Sequence, residues 1–342
     1  MRAVASHLYA LGARVRRATA RSRAGAVRRL DRPVISVGNL AVGGTGKTPL
    51  VGHLAQLLLD AGERPAVLSR GYRRTQPEDG VTVVSDGARL RADIDRAGDE
   101  PLMLARALPG VPVLVSADRY LAGRVAEWHL GATVHLLDDG FQHFALGRDL
   151  DLLVVDPSDL ERPRTLPAGR LRESLHAARH ADAVIVTDPS ADAQALAARL
   201  GVAEGFTMVR TSGPASDDTF PGVRLVPPGS RVVVVSGIAR PELFEEQTRA
   251  AGYDVAAALA FADHHPYEPA DIARIAATVG EVGAIAVLTT EKDLMRLLKR
   301  RPWPFRVAVS QVSVRVEPER FAGWLLARLA AARGADRPET RA

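Results

Sequence analysis

The chain has 342 residues, of which 46% are hydrophobic and 25% are charged, a composition typical of a globular protein with a sizeable core. It contains no cysteine, which excludes a disulfide scaffold, a thiolate metal site and a cysteine nucleophile. No run of about 18 apolar residues occurs, so the sequence predicts no membrane-spanning helix.

Positive charge is concentrated at the N-terminus. The net charge is +5, but residues 1–33 contain nine arginines and one acidic residue, Asp31, so this segment carries 9 − 1 = +8 and the rest 5 − 8 = −3. Such an arm suggests an anionic partner, either membrane headgroups or nucleic acid. Apolar residues of 1–25 recur at helical spacing, which is typical of an amphipathic helix on a membrane surface or of an ordinary N-terminal helix. A secretory signal fits poorly, because the arginines follow the apolar residues.

From residue 33 onward, short β-rich runs alternate with helical patterns. This alternation predicts βαβ units and a mostly parallel sheet covered by helices on both faces. The predicted strands lie at 34–37, 66–68, 111–115, 134–137, 152–155, 183–186, 232–235 and 284–288. Predicted helices include 49–61, 102–108 and 118–130. Two short strands at 206–210 and 223–226, separated by a polar loop, predict a two-stranded connector.

The strongest motif is a glycine-rich loop between the first predicted strand and the helix after it. It consists of Gly43, Gly44, Thr45, Gly46, Lys47 and Thr48. The glycines let successive backbone N–H groups point at phosphate oxygens, and the helix adds its positive end. Lys47 would reach the β- and γ-phosphates, and Thr48 would hold Mg²⁺. Ala41 replaces the first glycine of the usual pattern, but Lys47 is the only lysine in the first 291 residues. We therefore predict a nucleoside triphosphate site.

A P-loop also needs a carboxylate at the end of a neighbouring strand to orient magnesium. Asp138 and Asp139 follow the apolar run 134–137 and are the candidates for this role. The alternatives are that Asp139 and Gly140 only form a β-turn, or that Asp156, which follows the run 152–155, holds the metal instead.

Further polar residues bear on what receives the phosphoryl group. The loop 69–74 contains Arg70 and Tyr72, and it can hold an anionic or sugar-bearing substrate or be a solvated loop. Asp99 precedes the predicted helix 102–108, where it can accept a hydroxyl proton or cap the helix.

Two more clusters contain titratable groups. Arg170 and Arg172 stand beside Glu173, a grouping that suits a γ-phosphate and its metal or an exposed helix start. Later in the chain, His264 and His265 follow an aspartate. Neighbouring histidines rarely reach one metal and no third ligand is evident, so the pattern favours a proton-transfer histidine over a zinc site.

In this order along the chain, the motifs resemble those of the tetraacyldisaccharide 4′-kinase family, the lipid A kinases of Gram-negative bacteria. The matching segments are 37–39, 43–49, 69–72, 98–101, 138–143, 171–173, 236–239, 261–264 and 290–293. The resemblance implies ATP- and Mg²⁺-dependent phosphorylation of the 4′-hydroxyl of a tetraacylated glucosamine disaccharide 1-phosphate, which gives lipid IVA.

The resemblance also implies roles for individual residues. Lys47 and the glycine loop would hold the phosphates, Asp99 would be the acceptor base assisted by His264, and Arg172 would be a transition-state arginine. Magnesium would be served, directly or through water, by Thr48, Asp138 or Asp139, and Glu173. Tentative substrate contacts are Asn39, Arg70, Tyr72, Gln142 and His143.

The fold that the resemblance implies is a P-loop NTPase-like α/β/α sandwich with a second, smaller α/β/α lobe and an N-terminal amphipathic helix. The expected segments are a membrane-surface helix at 1–28, a P-loop kinase core at 29–205, a two-stranded linker at 206–228, a smaller lobe at 229–332 and a flexible tail at 333–342. The expected location is the cytoplasmic face of the inner membrane, as a peripheral enzyme on anionic lipid. We expect neither a nucleic acid nor a protein partner.

Two rival functions share the P-loop. A GTPase or ATPase acting as a metal-insertion chaperone or switch should carry a Cys or His metal site and, for guanine, an Asn-Lys-x-Asp motif; the chain has no cysteine and lacks that motif. A nucleic-acid-dependent ATPase would need aromatic residues for stacking near its basic arm. Aromatic residues are only 5% of the chain and do not cluster there.

Overall fold

In the computed structural model, the described residues are 27–217 and 224–334, together with 5, 6, 9–13, 15, 17 and 19. The chain divides into two compact units. The first comprises Met1–Arg210 and Val314–Ala342, and the second comprises Thr211–Ser313.

Strands and helices alternate along most of the chain, as predicted. The strands are β1 (Val34–Asn39), β2 (Pro65–Ser69), β3 (Thr82–Asp86), β4 (Pro112–Val115), β5 (Val134–Asp138), β6 (Leu150–Val155), β7 (Ala183–Val186), β8 (Glu204–Asp217), β9 (Arg224–Leu225), β10 (Arg231–Ser236), β11 (Asp254–Ala260), β12 (Ala286–Thr289) and β13 (Val307–Val316). The helices are α1 (Lys47–Asp60), α2 (Ile94–Ala97), α3 (Asp99–Ala107), α4 (Arg119–Leu130), α5 (Ser158–Glu161), α6 (Ala193–Leu200), α7 (Pro241–Ala250), α8 (Pro269–Val282), α9 (Glu291–Leu297) and α10 (Pro318–Gly334).

The first unit is built on a mostly parallel sheet with the strand order β7-β6-β1-β5-β2-β4-β3, and the start of β8 lies beside β7. Neighbouring strands pair in parallel except β3, which is antiparallel to β4. Every residue of β1 is buried, because it is a central strand covered on both faces. Parallel strands end at the same edge, so the residues after β1, β2, β4, β5 and β6 share one edge of the sheet, here called the carboxyl edge.

Apolar residues form a core on each face of this sheet. On one face lie the clusters around Leu153 and Leu137, which the strand register places on the same side. On the other face Val37, Leu136 and Leu152 are fully buried, since side chains alternate along a strand. The predicted parallel sheet with two covered faces is therefore confirmed for the first unit. The antiparallel edge strand β3 was not predicted.

The second unit has a parallel sheet of its own, in the order β11-β10-β12-β13. Strand β10 shows how both of its faces are covered. Val232 and Val234 pack with Tyr253 in one apolar cluster, whereas Val233 and Val235 pack with Tyr267 and its neighbours in another. The alternation follows from the period of two along a strand. This confirms the predicted second α/β unit.

The boundaries of the second unit differ from those predicted. The chain enters it within β8 and leaves it within β13, and β9 pairs antiparallel with the end of β8. The predicted lobe at 229–332 extends past the C-terminal end of the second unit, which is Ser313, because α10 belongs to the first unit. There Phe321 is fully buried, with its ring edge-on to that of Phe206 at 5.1 Å between centroids. Burial of this aromatic pair fixes α10 on the first unit.

The described residues between 5 and 19 are helical. Ser6 is attached to the first unit by reciprocal hydrogen bonds: its hydroxyl donates to the carbonyl of Thr165 at 2.9 Å, and the Thr165 hydroxyl donates to the Ser6 carbonyl at 3.0 Å. In the part of the chain that the structure describes, no helix combines the length and the apolar character needed to cross a membrane.

Candidate active site

The glycine loop joins β1 to α1 at the carboxyl edge. Gly46 is the residue before α1 and has a φ of 85°, and Gly43 has a φ of 112°, both in the left-handed region that favours glycine. Gly44 is exposed and has open space where a side chain would stand. Lys47 and Thr48 begin α1, so their backbone N–H groups lie at the positive end of the helix. The predicted phosphate loop therefore has the backbone shape that an anion site needs.

The side chain of Asn39 stabilises the glycine loop through hydrogen bonds. Its buried side-chain amide donates to the carbonyl of Ala41 at 2.7 Å and to the hydroxyl of Thr45 at 2.8 Å. Its oxygen accepts a hydrogen bond from the Lys47 ammonium at 3.0 Å. Asn39 was predicted as a substrate contact. Its position instead indicates that it shapes the loop and aims the lysine.

Carboxylates at the end of β5 face Lys47. Asp138 is the buried last residue of the strand, and Asp139 follows it with its Oδ1 3.5 Å from the Lys47 ammonium. Burial alone would raise the pKa of Asp139, but the nearby charges of Lys47 and Arg172 outweigh it, so the pKa of Asp139 lies below its usual value. Asp139 is therefore ionised at neutral pH.

Arg172 completes this group. Its guanidinium donates to Oδ2 of Asp139 at 2.8 Å and to the side-chain oxygen of Gln142 at 3.4 Å. The Gln142 amide donates in turn to the carbonyl of Asn39 at 2.9 Å. The structure thus brings together Lys47, Asp139, Arg172 and Gln142, four of the residues that the sequence singled out.

Asp156, the competing magnesium candidate, has local partners. One of its carboxylate oxygens accepts hydrogen bonds from the backbone N–H of Ser158 at 3.0 Å and from its hydroxyl at 2.7 Å. This is the pattern of a turn-forming aspartate at the start of α5.

The donor set at the loop suits magnesium. Thr48 supplies a hydroxyl, Asp138 and Asp139 supply carboxylates, and all three are oxygen donors of the kind that Mg²⁺ prefers. Among the described residues, no group of three or more His, Cys, Asp or Glu side chains could hold a metal by itself. Magnesium usually binds through one or two carboxylates together with substrate phosphates, so the set fits a magnesium–nucleotide better than a metal bound by protein alone.

Asp99 is the first residue of α3 and is only 8% exposed. Gly98, not Asp99, occupies the capping position, so the capping alternative is wrong. Gly98 has a φ of 87°, and a Cβ there would lie 3.1 Å from the Tyr72 carbonyl oxygen. Glycine thus allows the start of α3 to approach the loop 69–74, which places Asp99 beside the predicted substrate loop.

Tyr72 is 64% exposed on that loop, and Arg70 is also exposed. Close to Arg70 lies a residue that the sequence did not single out, Arg119, the buried first residue of α4. Burial and the charge of Arg70 lower the pKa of Arg119 to about 10, whereas Asp139 and Asp138 raise it. Arg119 therefore remains a cation at neutral pH near these carboxylates.

His143 is also close to this basic group. Burial, followed by the charges of Arg119 and Arg148, lowers the pKa of His143 to about 4. The imidazole is therefore neutral at physiological pH, and it can offer a hydrogen bond but not a positive charge.

Glu173 is engaged by the N-terminal segment. Both of its carboxylate oxygens accept from the Arg17 guanidinium, at 2.8 and 2.9 Å, and both residues are buried. The same guanidinium lies 4.7 Å from the centroids of the Phe141 and Phe144 rings. The predicted magnesium ligand therefore has Arg17 as its partner in this structure, next to Arg172.

Replacing Arg17 with Gln will lower the free energy of unfolding by about 3 kcal/mol, because it leaves the Glu173 carboxylate buried without its ion partner. The control is Arg28→Gln, which breaks an exposed ion pair with Asp118 at 2.6 Å and should cost at most about 1 kcal/mol. Urea unfolding followed by circular dichroism measures both. If both variants lose the same small amount of unfolding free energy, the buried pair stabilises the fold no more than the exposed pair does.

Comparison with known proteins identifies the family. The family model described as tetraacyldisaccharide-1-P 4′-kinase matches residues 2–330. This chain belongs to the tetraacyldisaccharide-1-P 4′-kinase family. A tetraacyldisaccharide 4′-kinase of Geobacter metallireducens is 42% identical over 306 residues, covering 86% of this chain and 87% of the relative. One of Pelobacter propionicus is 43% identical over 303 residues, covering 86% and 81%.

A solved structure of the family has the same fold. The crystal structure of LpxK from Aquifex aeolicus in complex with ATP is 35% identical, with a TM-score of 0.77, and the match covers 95% of this chain and 96% of that one. The predicted kinase class and α/β fold are therefore confirmed. Family membership also decides against the metal chaperone and the nucleic-acid-dependent ATPase.

The remaining predicted catalytic residue, His264, lies in the second unit, whereas Asp99 lies in the first. His264 has a left-handed backbone, with a φ of 63°, which is uncommon outside glycine. Such a backbone is held only where surrounding contacts enforce it, and strained residues of this kind cluster at functional sites. Its joint action with Asp99 remains a prediction.

Proposed function

We propose that this member of the family transfers the γ-phosphoryl group of ATP to the 4′-hydroxyl of tetraacyl glucosamine disaccharide 1-phosphate and so forms lipid IVA. The observation that carries the proposal is the convergence of Lys47, Asp139 and Arg172 at the glycine loop of a chain that matches the family over residues 2–330.

The nucleotide side of the reaction uses preorganised charge. Lys47 is held by Asn39 and Asp139 at the start of α1. Its ammonium can therefore bind the β- and γ-phosphates with little further loss of side-chain conformational entropy. Arg172 is held by Asp139 and can stabilise charge that develops on the transferred group. When bound, Mg²⁺ on Thr48 and the carboxylates Asp138 and Asp139 would neutralise phosphate charge.

The acceptor side needs a base, since a sugar hydroxyl is a poor nucleophile. We assign this role to Asp99, which is shielded from water and lies beside the loop 69–74. Its carboxylate accepts the hydroxyl proton as the oxygen forms a bond to the γ-phosphorus and the bond to the ADP oxygen breaks. Arg70 on the same loop, with Arg119 and neutral His143 close to it, supplies donors for an anionic sugar.

We further propose that the N-terminal helix rests on the cytoplasmic face of the inner membrane. Among the described residues of this helix, Ser6, Ala13 and Arg17 are buried, and Ser6 and Arg17 hydrogen-bond to the first unit. Its exposed side carries large apolar residues: Leu11 is 57% exposed, and Val15 and Tyr9 are exposed as well. An apolar side turned away from the protein suits the boundary between lipid headgroups and acyl chains, and the arginine-rich sequence suits anionic lipid.

The assay that tests the reaction combines the purified chain, ATP, Mg²⁺ and the acylated disaccharide 1-phosphate, with radiolabel in the γ-phosphate. We expect label in the lipid product, and little release of inorganic phosphate when the lipid is left out, because water must be kept from the γ-phosphate. Single-stranded DNA in place of the lipid is the control. Rapid phosphate release without lipid would contradict the proposal.

Membrane binding is tested with vesicles. We expect sedimentation with vesicles containing anionic lipid to fall about tenfold in the double variant Leu11→Ser, Val15→Ser, because two exposed apolar side chains are lost. The matched control is Leu121→Ser, which changes an exposed leucine of α4. Deleting residues 1–25 should weaken binding at least as much, and unchanged sedimentation in low salt would refute the membrane role.

A further inference from the structure

A buried ion pair between Asp293 and Arg296 contacts His264 in the second unit. Asp293 is 0% exposed and Arg296 is 6% exposed, on the short helix α9. Oδ1 of Asp293 accepts from the Arg296 guanidinium at 3.0 Å and from the Tyr267 hydroxyl at 3.0 Å. Its Oδ2 accepts from the hydroxyl of Thr290 at 2.7 Å. With these partners the carboxylate is well satisfied and holds the guanidinium in one orientation.

Two further hydrogen bonds of Arg296 connect this ion pair to Gly237 and to His264. Nη1 donates to the carbonyl of Gly237 at 3.1 Å, and Nη2 lies 3.0 Å from Nδ1 of His264. The backbone N–H of His264 donates to the same Gly237 carbonyl at 3.0 Å. The imidazole is therefore fixed at two points, through its main chain and through one ring nitrogen.

The chemistry of the guanidinium decides the protonation of the ring. Arginine has only donors and keeps its charge in proteins, so Nδ1 of His264 must accept the hydrogen bond. A neutral imidazole that accepts at Nδ1 carries its hydrogen on Nε2. On the Nε2 side stands Asp263, with its Oδ1 at 3.8 Å, which also favours a hydrogen there.

We propose that Arg296 is a positioning residue that holds His264 as the Nε2–H tautomer, so that His264 acts in the reaction as a hydrogen-bond donor and not as a proton acceptor. In this form neither ring nitrogen has a lone pair open to the substrate. His264 then cannot accept the hydroxyl proton, and its Nε2–H can only donate a hydrogen bond to an acceptor oxygen. The inference rests on the proposed function for its catalytic meaning, but the tautomer itself does not.

Nitrogen-15 NMR of the full chain labelled in histidine tests the tautomer directly, at a pH where free imidazole is neutral. The signals of His264 are assigned by their loss in His264→Gln. We expect a protonated Nε2 and an unprotonated Nδ1. A protonated Nδ1 in the unaltered chain would overturn the proposal without any variant, so the test does not depend on whether a variant folds.

Three variants then test the part played by Arg296. Arg296→Met removes the donor, and we expect signals of both tautomers. Arg296→Lys keeps a charged donor and should keep the Nε2–H form. The matched control is Arg300→Met, because Arg300 donates to the carbonyl of Tyr267 at 2.6 Å in the same unit. An unchanged tautomer in Arg296→Met would refute the role of Arg296.

Kinetics separate this inference from the proposed function. We expect Arg296→Met to lower kcat about 10- to 100-fold with KM for ATP changed less than about twofold, because a misplaced group slows the chemical step more than binding. Arg296→Lys should recover most of the loss, and Arg300→Met should match the unaltered enzyme. An expected NMR result in a chain that never phosphorylates the lipid would refute the proposed function alone. Normal kinetics in Arg296→Met would refute the positioning role.

Discussion

Replacing Lys47 with Ala will reduce phosphate transfer to the lipid by about 10³-fold or more. Among the described residues of the first unit, Lys47 supplies the one lysine ammonium next to the glycine loop, and the variant loses it. The loss should appear in kcat even at saturating ATP, since the charge counts most in the transition state. A discontinuous assay with labelled ATP and acylated disaccharide phosphate has the range to measure it.

The control for Lys47→Ala is Lys299→Ala, which removes an exposed lysine of the second unit. This variant should keep full activity. Circular dichroism must show that Lys47→Ala is folded, because Lys47 also contacts Asn39 and Asp139. More than a tenth of the normal kcat in folded Lys47→Ala would mean that the glycine loop is not the phosphate site.

Asp99→Asn is expected to lower kcat about 10²- to 10⁴-fold while ATP still binds. The substitution keeps the shape of the side chain and removes the carboxylate that would accept the hydroxyl proton. Binding should survive because Asp99 belongs to α3, whereas the phosphate loop lies between β1 and α1. Steady-state kinetics measure the first effect, and titration with a fluorescent ATP analogue measures the second.

A neighbouring aspartate provides the matched comparison. Asp95 lies in the first turn of α2, one helix before Asp99, and Asp95→Asn should leave kcat within about twofold. An Asp99→Asn enzyme with normal turnover would remove Asp99 from the base role. Loss of ATP binding in that variant would assign the residue to the nucleotide site.

The central strands were predictable because their local pattern is strong. Strand β5 is a run of buried residues that ends in Asp138, and its position after an apolar run is visible in the sequence alone. Strand β11 was missed, since its run of alanines has low β-propensity and only its pairing with β10 makes it a strand. Helix α10 was placed in the wrong unit because its partner, Phe206, lies more than 100 residues earlier.

In the candidate site too, residues in a strong local motif were predictable, whereas residues that depend on a distant partner were not. Lys47, Asp139 and Arg172 belong to short motifs whose residue types are typical of phosphate binding, so the sequence alone was enough to propose them. Arg17 is one of nine similar arginines in residues 1–33, and nothing local marks it as the partner of Glu173, 156 residues away. Arg119 likewise looks like an ordinary helix residue until the sheet places it beside Arg70 and the aspartates.

The manner in which the N-terminal helix is attached has a consequence for handling the protein. Detergent molecules would gather on Tyr9, Leu11 and Val15, the exposed apolar side chains. Among the described residues, Ser6 links the helix to the first unit by hydrogen bonds and Arg17 by an ion pair, and hydrocarbon does not compete for either link. A low-dielectric coat strengthens such polar links. Extraction into micelles should therefore leave the helix seated on its unit, whereas concentrated salt or guanidinium should release it.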